Sequence, residues 1–194
     1  YNPITIISYL KLKLNNKPTI GCDFIPYYEG FKGSIERITD QKYLIKGLYE
    51  KIGEDKIHIT ELPIGTWTMP YITFLESLVD GKQVDKNGKK IPPAIRDFTS
   101  LCTEVSIDIT IVLNVGDFDK LEYQYDVNGY NGICKLLKLH TSVSTTNMHM
   151  FNNECKLHKY KSIEEIIDEF YDVRYDVYVK RKANMIKIME HNLL

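Results

Sequence analysis

Tyr43-Leu44-Ile45-Lys46-Gly47-Leu48-Tyr49 and Ile57-His58-Ile59-Thr60-Glu61-Leu62 alternate apolar and polar residues and are rich in β-branched and aromatic side chains. That is the pattern of half-buried strands, and Gly53-Glu54-Asp55 between them reads as a turn. Upstream, Ser34 to Ile38 alternates in the same way, with Asp40-Gln41 as its connection to Tyr43. Downstream, Pro70 to Val79 fits a helix stopped by Gly81, followed by a polar, Lys- and Gly-bearing loop from Asp80 to Lys90. Val105 to Leu113 is a further alternating strand and Asp117 to Tyr125 a short helix, while Cys134 to Leu139 and Val143 to Phe151 read as strands. Strand groups mixed irregularly with helices predict an α+β fold, with a mixed or antiparallel sheet and flanking helices.

Helices frame this region. Asn2 is a good N-cap and Pro3 suits the first helical position, after which Ile4, Ile7, Leu10 and Leu14 recur at helical spacing until Asn15-Asn16-Lys17-Pro18. A Gly-, Pro- and aromatic-rich loop runs from Gly21 to Gly33. At the other end, Ser162-Ile163-Glu164-Glu165 reads as a capping box, in which Ser162 and Glu165 satisfy each other's backbone donors. Ile163, Ile166, Phe170, Val173 and Val177 then follow at spacings of three and four, the seam of a coiled coil, and Met185, Ile188 and Met189 resume it after Lys180-Arg181-Lys182. The expected organisation is a linking helix over 1–17, a central domain over 18–160 and a long C-terminal coiled-coil-type helix over 161–194.

Composition narrows the function. With 25 basic and 26 acidic residues among 194, the chain advertises no global field for nucleic acid, so a DNA-binding role requires a local basic face. The four cysteines (Cys22, Cys102, Cys134, Cys155) lie far apart without a CxxC pair, which argues for reduced thiols and against zinc or a disulfide framework. No apolar run reaches the roughly 20 residues that span a bilayer, and no signal-peptide layout opens the chain. The chain begins at Tyr1 and ends within a helical pattern, so it is expected to be a piece of a longer protein.

Catalytic chemistry is not written here. His140, His149 and His158 are nine residues apart and match no metal-ligand signature. Nothing in the sequence places Cys134 or Cys155 beside a histidine, Gly30-Phe31-Lys32-Gly33 is too short for a phosphate loop, and Glu61 is a lone carboxylate. No catalytic or metal-binding residue is therefore expected. Binding chemistry has more to stand on. Lys138, His140, Thr141, Ser142, Ser144, Thr145 and Asn147 set short hydroxyls and amides beside a lysine, the side chains that hold phosphate oxygens without reading sequence. The same run also reads as an ordinary polar strand face with Ser and Thr chosen for β-propensity.

Five segments carry a resemblance. Glu61-Leu62-Pro63-Ile64-Gly65-Thr66-Trp67-Thr68 resembles the ELPxRTWT stretch of eukaryotic and large-DNA-virus type IIA DNA topoisomerases. Tyr28 to Glu36 is similar to their YKxFKGTIEE segment, Lys138 to Met148 to KLQTSLTCNSM, and Phe170 to Lys182 to FFxxR…YYxxRK, where the coiled coil begins. Tyr1-Asn2-Pro3 is similar to the link out of the winged-helix domain. The matches keep one order over essentially the whole chain. One position departs: Gly65 stands where the pattern usually has Arg, removing a guanidinium that could pair with phosphate or carboxylate.

The resemblance implies the tower, or shoulder, that supports bent gate DNA in an enzyme that cuts both strands of one duplex, passes a second through and reseals. It implies ATP and Mg²⁺ for the whole enzyme, held by other domains and not by this segment. The strand-cutting tyrosine lies before the matched region, and Tyr1 lacks its Arg-Tyr context. The DNA-contact set it implies is Lys138, His140, Thr141, Ser142, Ser144, Thr145, Thr146 and Asn147, with Lys32 from the upstream segment. Double-stranded DNA is the expected partner, with a homodimer in the intact enzyme and no membrane. The expected location is intracellular: the nucleus for a cellular source, the cytoplasmic replication site or virion for a viral one. Two other readings compete: a stand-alone DNA-binding module derived from such a shoulder, and a protein-interaction domain using the Ile163 to Val177 seam.

Overall fold

The computed structural model describes residues 1–81, 92–125 and 130–193. The loop expected at Asp80 to Lys90 therefore falls, from 82 onward, outside the described residues. Along the chain run α1 (Pro3–Leu14), β1 (Ser34–Thr39), β2 (Lys42–Lys46), β3 (Leu48–Lys51), β4 (Lys56–Glu61), α2 (Thr68–Val79), β5 (Ile95–Ser100) and β6 (Ile109–Leu113). There follow α3 (Asp117–Glu122), α4 (Gly132–Leu136), β7 (His140–Ser144), β8 (His149–Phe151), β9 (Leu157–Lys159) and α5 (Ile163–Leu193). The fold is α+β with antiparallel pairing in every sheet, as the sequence predicts. It divides into two compact units, 29–144 and 1–28 with 145–194.

The unit 29–144 holds a four-stranded sheet in the order β3-β4-β6-β5 and a three-stranded sheet in the order β1-β2-β7. Ile57 and Ile59 of β4 and Ile109, Ile111 and Leu113 of β6 all point to one face, because successive side chains of a strand alternate. That face meets Tyr71, Leu75 and Leu78 of α2, Phe118 of α3 and Ile133 of α4 in a single core. Each fully buried Ile or Leu there contributes about 1.5–3 kcal/mol relative to exposure. Tyr71 also donates its hydroxyl to the Leu137 carbonyl at 2.8 Å, so its one buried polar atom is satisfied.

Several expected elements are corrected. Tyr43 to Tyr49 is not one strand: at Gly47 the chain leaves the three-stranded sheet for the four-stranded one, and the Gly47 N–H donates to the Leu139 carbonyl. The Val105 to Leu113 strand begins only at Ile109, since Thr103 and Ser106 close a turn (backbone N to O 2.9 Å) that leaves Val105 96% exposed. Cys134 to Leu139 is not a strand. The Asn131 side chain caps the Cys134 N–H and starts α4, whose Ile133, Cys134 and following Leu137 all turn inward. Val143 to Phe151 is the end of β7, a non-strand stretch, and then β8. The Asp117 helix ends at Glu122 and not at Tyr125. β5 and β9 have no counterpart among the expected strands.

The Glu61 to Thr68 segment is a strand end followed by a tight turn. The Thr66 N–H donates to the Pro63 carbonyl at 3.0 Å, and Gly65, third in that turn, has φ 87°. A turn of this kind calls for positive φ at its third position, where glycine carries no Cβ penalty. The departure from Arg at this position thus coincides with a backbone that suits glycine. Trp67, next to it, precedes α2 with no side-chain cap and is 77% exposed.

In the unit 1–28 with 145–194, Tyr9, Phe24 and Ile167 form a small buried cluster. Asn2 caps α1 as expected, accepting from the Ile4 N–H at 2.9 Å. Asp168 of α5 accepts from the Tyr9 hydroxyl at 3.0 Å and from the Lys13 ammonium at 2.6 Å. The capping box is only half formed: the Glu165 N–H reaches Ser162 Oγ at 3.4 Å, but the Glu165 carboxylate takes the N–H of Lys161. Among the described residues of α5, Ile167 is buried, while Phe170, Val173 and Val177 of the expected seam are 55%, 40% and 49% exposed.

Candidate nucleic-acid interface

Register sorts the expected contact residues on β7 into two faces. Lys46 pairs with His140, Leu44 with Ser142 and Lys42 with Ser144, and residues directly opposite in an antiparallel pair share a face. One face of the three-stranded sheet therefore carries His140, Ser142 and Ser144 with Lys42 and Lys46. Leu44 is buried between the two lysines. Thr141 falls on the opposite face with Val143, Ile45 and Tyr43, half-buried, and is separated from the other β7 hydroxyls. β7 is an edge strand, so alternate backbone groups along it point away from β2.

The approach to β7 fixes Lys138. α4 ends with Leu137 as its cap; the Lys138 N–H then bonds the Lys135 carbonyl at 3.4 Å and the Leu139 N–H the Cys134 carbonyl at 2.9 Å. This pair of bonds is a Schellman ending, and its required left-handed residue is Lys138, with φ 50°. The exposed Lys138 side chain carries its ammonium to 4.1 Å from the centre of the Phe74 ring of α2. His140 is braced from two sides. Its Nδ1–H donates to the Cys134 carbonyl at 3.1 Å, and its ring stacks on Tyr130 with centroids 4.1 Å apart.

Lys46, across from His140, holds both carboxylate oxygens of Glu36 at 2.8–2.9 Å, so part of its charge is already answered. A shallow cavity of about 230 Å³ opens beside this end of the sheet, with Ser34, Lys46, Tyr49, Tyr130 and Asn131 in its wall. Asn131 donates to the Tyr49 hydroxyl at 2.6 Å, and burial pushes both the Tyr49 phenol and the Cys134 thiol up, so both stay neutral. Lys32 is exposed and lies two residues before Ser34, whose partner is Lys46. It thus lies at the same end of the sheet as His140, just before the far edge strand β1. Thr145, Thr146 and Asn147 belong to the other unit, where Asn147 accepts from His149 Nδ1 at 2.8 Å.

Sequence reading does not single out Lys42, Lys46, Phe74 or Tyr130. Lys42 and Lys46 carry a usable signal, since positions four apart on a strand share a face; Phe74 and Tyr130 carry none, being brought in by tertiary packing. Among the described residues no three His, Cys, Asp or Glu side chains are gathered for a metal ion.

The family model for the A-type subunit of DNA gyrase/topoisomerase IV matches residues 1–194. The chain is 36% identical to DNA topoisomerase 2 of Arabidopsis thaliana over 100% of its own length and 12% of that protein's. It is 30% identical to DNA topoisomerase 2 of Acanthamoeba polyphaga mimivirus, covering 95% of this chain and 18% of that one. The solved Plasmodium falciparum topoisomerase II DNA-binding, cleavage and re-ligation domain superposes with a TM-score of 0.82 at 33% identity, over 98% of this chain and 24% of that one. The chain spans between 11% and 14% of the first curated relatives it matches. Full-length agreement in sequence model and fold leads to one conclusion: the chain belongs to the family of DNA gyrase/topoisomerase IV A-type subunits.

Proposed function

We propose that this chain is the DNA-supporting shoulder of an ATP-dependent type IIA DNA topoisomerase, an enzyme that changes DNA topology by double-strand cleavage, strand passage and resealing. The observation that carries this reading is the family match over every residue, joined to a fold shared with a DNA-binding and cleavage domain. ATP and Mg²⁺ belong to other parts of the intact, homodimeric enzyme. Its place of work is the nucleus for a cellular source and the viral replication site or virion for a viral one. Among the described residues no helix is long and apolar enough to cross a membrane.

Within the shoulder, the β7 face is the surface we assign to the sugar-phosphate backbone. Ser142 and Ser144 are exposed hydroxyls on an edge strand, with Lys42 and Lys46 on the same face and Lys138 just before the strand. Such groups position a duplex without reading bases. Smooth bending of a 20–30 bp site costs roughly 1–6 kcal/mol, and contacts made only along the bent arms offset it. With a net charge of −1, binding is local and electrostatic, so it weakens steeply with salt.

The test is a titration of labelled duplex DNA with the chain at several salt concentrations, alongside incubation with supercoiled plasmid and Mg²⁺. Binding that falls linearly in log–log form with salt, without cleavage or relaxation, is expected. No binding at low salt, or cleavage by this chain alone, overturns the reading.

A further inference from the structure

His140 is fastened in a way that dictates what its outer nitrogen can do. Nδ1 lies 3.1 Å from the Cys134 carbonyl oxygen, and a carbonyl only accepts, so Nδ1 carries a proton whenever this bond is kept. The same carbonyl ends α4 by accepting the Leu139 N–H, which makes it a rigid anchor. Stacking on Tyr130, 19° from parallel, sets the plane of the ring. Nε2 has no hydrogen-bond partner among the described residues. In the neutral ring Nε2 is then a bare acceptor, which phosphate oxygen avoids. In the imidazolium it is a charged N–H donor.

We infer that His140 is a protonation-gated phosphate ligand of the β7 edge, gripping the duplex backbone as imidazolium and releasing it when neutral. This rests on the DNA-facing reading of β7 given above. Charged and titratable groups from the neighbouring elements surround the ring. Lys46 of β2 stands opposite and is tied to Glu36 of β1. The Cys134 thiol of α4 and the Tyr49 phenol of β3 are held neutral by burial. Tyr130 presents a stacked phenol, and Lys138 keeps its ammonium on Phe74. A bound phosphate adds a counter-charge to the imidazolium, so DNA binding takes up a proton. A glutamine amide in this place would donate at every pH. His140 therefore adds a dependence on acidity that Gln would lack.

Fluorescence anisotropy with a labelled duplex, at constant ionic strength and at about pH 6 and about pH 8, tests the inference on the full chain and His140→Gln. The wild type is expected to bind about tenfold tighter at the lower pH, the size of one charge-assisted hydrogen bond. Its salt slope should steepen by about 0.9, one further phosphate neutralised. His140→Gln should lose both differences. Equal pH dependence in wild type and variant, or pH-independent binding by the wild type, overturns the inference and leaves the DNA reading standing. Absence of binding at both pH values overturns both. If His140→Gln fails to fold by circular dichroism, the ring-nitrogen resonances of wild-type His140 decide. Protonation favoured by added duplex supports the inference, and unchanged titration of that ring overturns it.

Discussion

The ammonium of Lys138 rests 4.1 Å from the centre of the Phe74 ring, while its backbone occupies the left-handed position that ends α4. Two opposed effects meet in this residue. The non-glycine left-handed conformation costs about 1 kcal/mol, and the cation–ring contact returns about 0.5–1 kcal/mol at an exposed site. Lys138→Gly removes both, so stability should change by less than about 1 kcal/mol. Lys138→Ala keeps the strain and loses the contact, so it should be the less stable variant, the reverse of the usual Gly–Ala order. Urea denaturation of the two variants settles this ordering. Because Lys138→Gly leaves the fold intact, its DNA titration isolates the charge: a severalfold weaker complex and a salt slope shallower by about 0.9 are expected. Wild-type affinity in Lys138→Gly would remove Lys138 from the contact set.

Gly33 is needed for close approach. A Cβ built there would lie 2.1 Å from the Lys46 carbonyl oxygen and 2.3 Å from the Phe31 ring. The ring can rotate away, but the carbonyl belongs to β2, the central strand of its sheet. Gly33→Ala should therefore destabilise the unit by about 2–3 kcal/mol, as overpacking against backbone does. Adding Phe31→Ala should not restore it. Recovery of wild-type stability in the double variant would show that the ring, and not the strand, sets the limit. Since Lys32 adjoins Gly33, the single variant should also displace that lysine.

The legible parts of this fold are those whose burial follows a local period. β4 buries alternate residues and α2 repeats apolar residues near every fourth position, and the sequence pattern locates both within about two residues at the start. β5 escapes such a reading because it is an edge strand with Ile95 alone buried, so Ile95-Arg96-Asp97-Phe98-Thr99-Ser100 shows no alternation to detect. α4 mimics a strand because five residues are too few to separate a 3.6 period from an apolar run. At the candidate interface, the polar run on β7 is readable directly. Its division into faces is not, because that depends on pairing with β2 at Lys42, Leu44 and Lys46. The stacking partner of His140 and the ring beneath Lys138 are likewise products of tertiary packing. The family resemblance marks the segment without supplying its geometry.

His58 lies on the solvent-facing side of the four-stranded sheet, opposite to Ile57 and Ile59. Its Nδ1 meets Glu50 of β3 and its Nε2 meets Asp108, each at 3.0 Å, so both ring nitrogens have a carboxylate to donate to only when the ring is charged. The hydrogen bond to Glu50 is the largest influence; partial burial opposes it, the Asp108 bond adds to it, and the net effect raises the His58 pKa above its ordinary 6.5. A histidine with a raised folded-state pKa stabilises the fold fully below the unfolded value and loses that contribution as pH rises through the folded value. The brace is therefore strongest below about pH 6.5, while both carboxylates stay ionised, and fades on the alkaline side. All three side chains are substantially solvated, so the effect is small and screened by salt. Thermal denaturation of wild type and His58→Gln should differ most near about pH 5.5 and converge above about pH 8. A gap that is constant across this range would mean that His58 acts through packing alone.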